Sequence, residues 1–312
     1  MKPFFAHGKL LISAEYMVLH GSSALALPLH KGQTLQRRRS EDPNVFSWEA
    51  YEADDCWFSA KYSPTTLAIR ETSDPEKAET LRFLIKTVIE MDPSFQKELF
   101  TWDVKTTLEF SPSWGFGSSS TLIALMAEWA EINPLDLHFR VSDGSGYDVA
   151  CAIAERPILY KLREDGPHYR HVLFNPPFSN NLYFVWLGKK QSTSEHLVEI
   201  AEKMNPGYPE IHHFSTLTQQ MIETSELSEF QQLMEEHEAK LSELIKLDRV
   251  SETRFPDLPG SVKSLGAWGG DFVMIATESN SDTLFNYLDK KGLKTMFRYN
   301  DLVYDAERGK KP

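Results

Sequence analysis

The 312-residue sequence has only two cysteines, Cys56 and Cys151, and their separation suits neither a disulfide framework nor a thiolate zinc site. It has no uninterrupted apolar run long enough to span a bilayer. It is also short of positive charge. Against 45 Asp and Glu there are 33 Lys and Arg, a formal net charge of −12, so no global basic field draws the chain to nucleic acid or to an anionic membrane. The fairly apolar start, residues 1–29, carries Lys9 and Glu15 where the core of a secretory signal is uncharged. The ten histidines fall at no metal-ligand spacing, and no repeat or long low-complexity stretch occurs. These absences predict a cytoplasmic protein without nucleic-acid or membrane partners; a small-molecule substrate and a monomer or homodimer are expectations that accompany this reading and do not follow from composition. Any phosphate it binds must be met by locally gathered donors.

What is present is an ordinary globular composition, 41% apolar and 25% charged. Leu10 to Ile12 and Ala24 to Leu29 read as short buried strands joined by a turn at His20-Gly21-Ser22. Val45 to Phe58 mixes aromatics with acids in the manner of exposed-edge strands. Leu81, Leu84, Ile85 and Val88 fall at helical spacing between Pro75 and the Asp92-Pro93 stop. Phe100 to Phe110 reads as a strand, and Leu122, Leu125, Met126 and Trp129 mark one face of a helix ending near Asn133-Pro134. Further on come strands at 158–160, 182–187 and 272–276, and helical stretches at 195–204, 210–247 and 284–291. Asn175-Pro176-Pro177 can continue neither kind of regular structure and is the expected linker between domains at 1–174 and 175–312.

Between the 100–110 strand and the next helix lies Ser111-Pro-Ser-Trp-Gly115-Phe-Gly117-Ser118-Ser119-Ser120. Glycines let a backbone approach a ligand closely, and a helix start offers free N–H groups and a positive dipole end to phosphate. Serine hydroxyls there can cap the helix, bond phosphate oxygens or ligate magnesium. The plain alternative is a capped helix after a flexible turn. No Gly-Lys-Ser/Thr follows, so this is not a Walker loop.

The turn resembles the second motif of the GHMP kinase superfamily, Pro-x-Gly-x-Gly-Leu-Gly-Ser-Ser. Gly8-Lys9 through Glu15-Tyr16 is similar to the first motif, and Ser264-Leu-Gly266-Ala-Trp268-Gly269-Gly270-Asp271 to the third. Gly144-Ser145-Gly146-Tyr147-Asp148-Val149-Ala150 resembles the segment that carries the family's catalytic aspartate. The resemblance spans residues 8–271. It implies an α+β protein with the GHMP kinase fold, its N-terminal ATP-binding domain holding a left-handed β-α-β crossover and its C-terminal domain ferredoxin-like. It further implies an ATP- and Mg2+-dependent kinase. Glu15-Tyr16, Gly-Ser-Gly-Tyr-Asp and Gly269-Gly270-Asp271 are similar to phosphomevalonate kinases, which makes 5-phosphomevalonate the expected acceptor. Mevalonate kinase, diphosphomevalonate decarboxylase, a sugar kinase or a non-catalytic member of the fold are the alternatives.

Carried over residue by residue, the resemblance gives Asp148 and Lys9 the catalytic roles, Asp148 at the acceptor oxygen and Lys9 beside it. Gly115, Gly117, Ser118, Ser119, Ser120 and Glu15 would serve the nucleotide, with Ser119 on magnesium. Ser145, Gly146, Ser192, Thr193, Gly266, Gly269 and Gly270 would line the substrate side. Taken singly, Lys9 reads as a surface lysine, Asp148 as a helix cap, and Arg37-Arg38-Arg39, Lys189-Lys190 and Lys263 as solvated charges or phosphate holders. Three departures stand out. Ser113 and Trp268 replace motif glycines, and residues 135–143 lack the glutamate that supplies a second magnesium ligand in the family. Asp136, Asp143, or ATP with Ser119 would then hold the metal.

Overall fold

Alternation builds the first strands. In β3 (Phe46–Glu52), Phe46, Trp48 and Ala50 are buried while Ser47 and Glu49 are more open, the period-2 signature of a half-buried strand. The computed structural model describes residues 2–188, 204–266, 268 and 271–308. In it β3 pairs antiparallel with β4 (Asp55–Tyr62) and parallel with β6 (Trp102–Leu108). Phe46 and Trp48 are therefore core, not the exposed edge that their acidic neighbours suggest. β5 (Ile69–Thr72) follows β4 outward.

Between parallel β3 and β6 in sequence lies α1 (Pro75–Met91). Pro75 sits at its first turn, and the Asp74 carboxylate accepts from the Lys77 N–H, the expected start signals. Its buried stripe, Leu81, Leu84, Ile85 and Val88, joins Phe46, Trp48, Leu125 and Met126 in one core. A short α2 (Phe95–Leu99) leads into β6. Beyond it, α3 (Ser118–Trp129), α4 (Pro134–Val141) and α5 (Tyr147–Ala152) pack on one another.

The chain forms two compact units, and neither is contiguous in sequence. The first holds residues 1–8, 31–112 and 116–153; the second holds 9–30, 113–115 and 154–312. Strands β1 (Phe4–Leu11) and β2 (Ala24–Arg39) each contribute to both. Residues 24–26 of β2 pair with β7 (Ile158–Arg163), itself paired with β8 (Gly166–His171), whereas residues 33–39 pair with β6.

In the second unit, β9 (Leu182–Trp186) is followed by α6 (Tyr208–Glu223), α7 (Leu227–Ile245) and short α8 (Val250–Arg254). Then come β10 (Ser261–Leu265), β11 (Phe272–Ala276), α9 (Ser281–Lys290), β12 (Met296–Arg298) and short α10 (Tyr299–Leu302). The sheet order is β10-β11-β9-β12 with every pairing antiparallel, the ferredoxin-like arrangement. β11 reads as continuous buried residues, and Tyr183, Val185, Val262, Val273, Ile275 and Leu284 form the core beneath α9. The helical stretch expected over 210–247 is divided. Thr224 takes an extended conformation after α6, and its hydroxyl accepts from the Glu226 N–H. Most of the helix expected at 195–204 lies outside the described residues.

Candidate active site

The glycine-serine turn leaves the helix start open. Gly117 takes φ 90 at the N-cap of α3 and provides no side-chain cap. The Ser120 hydroxyl donates to Gly117 O at 2.8 Å, and Thr121 Oγ1 donates to Gln33 Oε1 at 2.6 Å. Ser120 is buried while Ser119 is exposed and Ser118 half-buried. Ser118 and Ser119 are thus the hydroxyls presented at a helix N-terminus, where N–H groups and dipole favour an anion. Phe116 anchors the turn from within, fully buried and edge-on to Phe110.

Gly115 belongs to the second unit with Ser113 and Trp114. Its φ is +68, and a Cβ there would lie 2.0 Å from Asp271 Oδ2, so only glycine fits both the backbone and the neighbouring carboxylate. Trp114 meets the Phe272 and Phe297 rings edge-on.

In the first unit Asp148 lies in the first turn of α5, half-buried, its Oδ1 accepting from the Val149 N–H at 3.0 Å. The turn before it is moulded on α4. His138 Nε2 bonds Gly144 O at 3.1 Å, and a Cβ on Gly146, where φ is +81, would come within 3.2 Å of His138 and Phe139. Ser145 is buried. The first unit thereby brings together Gly117, Ser118, Ser119, Ser120, Ser145, Gly146 and Asp148 on the packed helices α3, α4 and α5. Lys9, half-buried on β1, falls in the second unit with Glu15, Gly115 and Gly266. Ser192, Thr193, Gly269, Gly270, Lys189 and Lys190 lie outside the described residues.

Glu15 is enclosed. It is 2% exposed, and its Oε1 accepts from Lys263 Nζ at 2.5 Å. Lys263 has no exposed surface, which corrects its reading as a solvated charge. Arg37 is likewise covered: its guanidinium lies over the Phe4 and Trp129 rings and pairs with Glu98 at 2.9 Å. Burial pushes Glu15 above the ordinary carboxylate range while Lys263 pulls it down. Tyr16 is pushed up to about 12, chiefly by burial. Its hydroxyl oxygen accepts from the Trp268 N–H at 2.7 Å, and Trp268 Nε1 donates to Asp248 O at 3.0 Å. Trp268, bulky where the third motif has glycine, is thus tied into the second unit by its backbone N–H and its indole N–H.

Sequence reasoning missed His237 and Glu238, which complete the surroundings of Lys263. A signal existed. Phe230, Leu233, Met234, Leu241 and Ile245 mark the buried stripe of α7, and positions 237 and 238 fall on the same stripe. A histidine and an acid at core positions imply a buried partner.

Among the described residues no group of three or more His, Cys, Asp or Glu is arranged to hold a metal ion, and no helix is long and apolar enough to cross a membrane.

No family model and no curated protein matches the chain. Solved structures do. Streptococcus pneumoniae phosphomevalonate kinase, in complex with phosphomevalonate and AMPPNP, aligns with a TM-score of 0.71 at 18% identity over 96% of this chain and 100% of that one. Methanococcus jannaschii mevalonate kinase aligns at 0.68 and 15% over 95% and 96%. Lactococcus lactis galactokinase, complexed with galactose, aligns at 0.63 and 12% over 97% and 93%. The chain has the GHMP kinase fold.

Proposed function

We propose that this protein is an ATP-dependent small-molecule kinase whose acceptor is 5-phosphomevalonate, with mevalonate as the alternative acceptor. The observation that carries the reading is the Gly117-led start of α3, uncapped by a side chain and followed by Ser118 and Ser119, together with an aspartate in the first turn of α5, a helix packed on α3. The like-folded kinases support it, as do the four motif segments in family order. A cytoplasmic setting belongs to the same proposal.

In this reading the first N–H groups of α3 and the Ser118 and Ser119 hydroxyls hold ATP phosphate oxygens. Bound Mg2+ would supply charge neutralisation between phosphates, and the Ser119 hydroxyl is the side chain suited to ligate it. Asp148 orients the acceptor, or takes its proton where the acceptor oxygen carries one, as that oxygen bonds to the γ-phosphorus and the bond to ADP breaks. Lys9 offsets the negative charge of the transferring group, and Gly266, Gly269, Gly270, Ser192 and Thr193 belong to the substrate side.

Coupled ADP release with Mg-ATP, comparing 5-phosphomevalonate, mevalonate and a panel of sugars, tests this directly. Turnover on 5-phosphomevalonate is expected. Turnover on mevalonate or a sugar alone overturns the acceptor, and carbon dioxide release would make the protein a decarboxylase. Silence on every acceptor overturns the kinase reading.

A further inference from the structure

Three successive residues of the turn after β1 are each gripped by a different part of the second unit. The Ala14 N–H donates to His237 Nε2 on α7 at 2.9 Å, Glu15 accepts from Lys263 on β10, and the Tyr16 hydroxyl accepts from the Trp268 N–H. Ala14 and Tyr16 both take φ 61, a positive value that residues with a Cβ seldom adopt and that surrounding contacts must hold.

The grip centres on one buried cation. Lys263 Nζ donates to Glu15 Oε1 and to Ser264 O, at 2.5 and 3.0 Å, and lies 3.7 Å from Glu238 Oε1. Neither oxygen of Glu238 closes a hydrogen bond of normal geometry among the described residues, although the residue is 1% exposed. His237 brings no second positive charge. Its Nε2 accepts the Ala14 N–H, so it is the neutral tautomer, and burial holds its pKa well below the usual range. One ammonium therefore faces two enclosed carboxylates, which both ionise only by leaving a net negative charge in a dry site. The proton that removes it belongs on Glu238, because Glu15 has the short charge-assisted bond.

We propose that Lys263 is a positioning residue, acting through Glu15 to hold this turn, and that Glu238 makes the hold depend on one proton. That the held turn serves catalysis rests on the kinase reading; the proton linkage does not.

The other groups facing the cluster are few. His213 on α6 bears on His237, Tyr16 bears on Glu15, and Arg249 beyond α7 feels Glu238. β11 also packs on α7 and carries no titratable side chain. Burial pushes the Glu238 carboxyl up to about 7, Lys263 opposing and Glu15 reinforcing. A folded-state pKa above the unfolded value means that the folded form binds the extra proton. The associated stability is full below the unfolded carboxylate range and is lost as pH rises through about 7. Above that, a second carboxylate competes with Glu15 for Lys263.

The test is thermal unfolding of the ligand-free full chain from pH 5.5 to 8.5, for wild type, Glu238→Gln, Lys263→Met and the double variant Glu15→Gln/Lys263→Met. Relative to Glu238→Gln, the wild-type midpoint should fall by at least ~3 °C across this range. Lys263→Met should melt well below wild type, and the double variant should recover part of the loss because it removes the stranded carboxylate. In parallel, wild-type kcat/KM for Mg-ATP should decline several-fold above pH 7 more than that of Glu238→Gln. Parallel melting curves for wild type and Glu238→Gln overturn the proton linkage. A Lys263→Met protein that melts like wild type, or a double variant no better than Lys263→Met, overturns the positioning role. If Lys263→Met does not fold, recovery of a folded double variant supports it. A missing turnover with the expected melting curves would fault the kinase reading alone.

Discussion

Asp148 is the residue on which the chemistry depends in this reading, and its surroundings make a clean substitution possible. Its carboxylate accepts from the next N–H, in the first turn of α5. Asp148→Asn keeps shape and volume, so it should fold and bind Mg-ATP like wild type while kcat falls by roughly 10²–10⁴-fold. Activity within a few-fold of wild type would remove Asp148 from the mechanism. Gly115 offers a residue-scale prediction of a different kind. A methyl group there would meet the Asp271 carboxylate at 2.0 Å on a backbone with φ +68, so Gly115→Ala should destabilise by about 1–3 kcal/mol in urea unfolding. Gly115→Ala/Asp271→Ser should return part of that. Equal losses in the single and double variants would mean that backbone strain, not the carboxylate, sets the cost.

At the scale of elements, α4 connects helix capping to the aspartate turn. Asn133 Oδ1 accepts from the Leu135 and Asp136 N–H groups, with Pro134 at the first helical position. Asn133→Ala should cost about 0.5–2 kcal/mol of stability and leave kcat nearly intact. His138→Ala instead removes both the bond to Gly144 O and the wall behind Gly146. It should lower kcat more than it raises the KM for ATP, and equal kcat in the two variants would show that α4 only supports the fold. The helix starts in these segments were legible because glycine and small polar residues before an apolar stripe mark a turn into a helix: Gly117, Ser118, Ser119 and Asp148 stand on the turns where local pattern puts them. α1 was legible from its stripe and its stop. β3 was misread as exposed because its polar residues are real, and its central place in the sheet rests on parallel pairing with β6, far along the sequence, beside its hairpin partner β4. Lys263 was misread for a related reason. A lysine in an exposed strand and one in a buried strand look alike until the acids facing it are known, and here they come from positions 15 and 238.

The whole molecule shows the same limit on a larger scale. In the order β10-β11-β9-β12, β9 pairs with β11 and β12, both far from it in sequence, and no periodicity encodes this; only the motif resemblance anticipated a ferredoxin-like layer. The two contact-defined units each take part of β1 and of β2, a division that local breaks such as Asn175-Pro176-Pro177 do not encode. The charge balance was legible outright, and it bears on ligand binding. With a net charge of −12, a polyanion gains nothing from the global field, so in the kinase reading nucleotide affinity comes from the local donors at α3. No acid cluster among the described residues is built to take a metal alone, and in the kinase reading magnesium arrives with the nucleotide. Ligand-linked stability separates these contributions. Mg-AMPPNP at about 100 times its Kd should stabilise the folded chain by ~2.7 kcal/mol, read as a rise in the thermal midpoint. AMPPNP with EDTA should give a smaller rise, and Mg2+ alone none. A rise with Mg2+ alone would show that the protein carries its own cation site. No rise with Mg-AMPPNP, with inorganic phosphate as the control for a bare anion site, would remove ATP as the ligand of the glycine-serine turn.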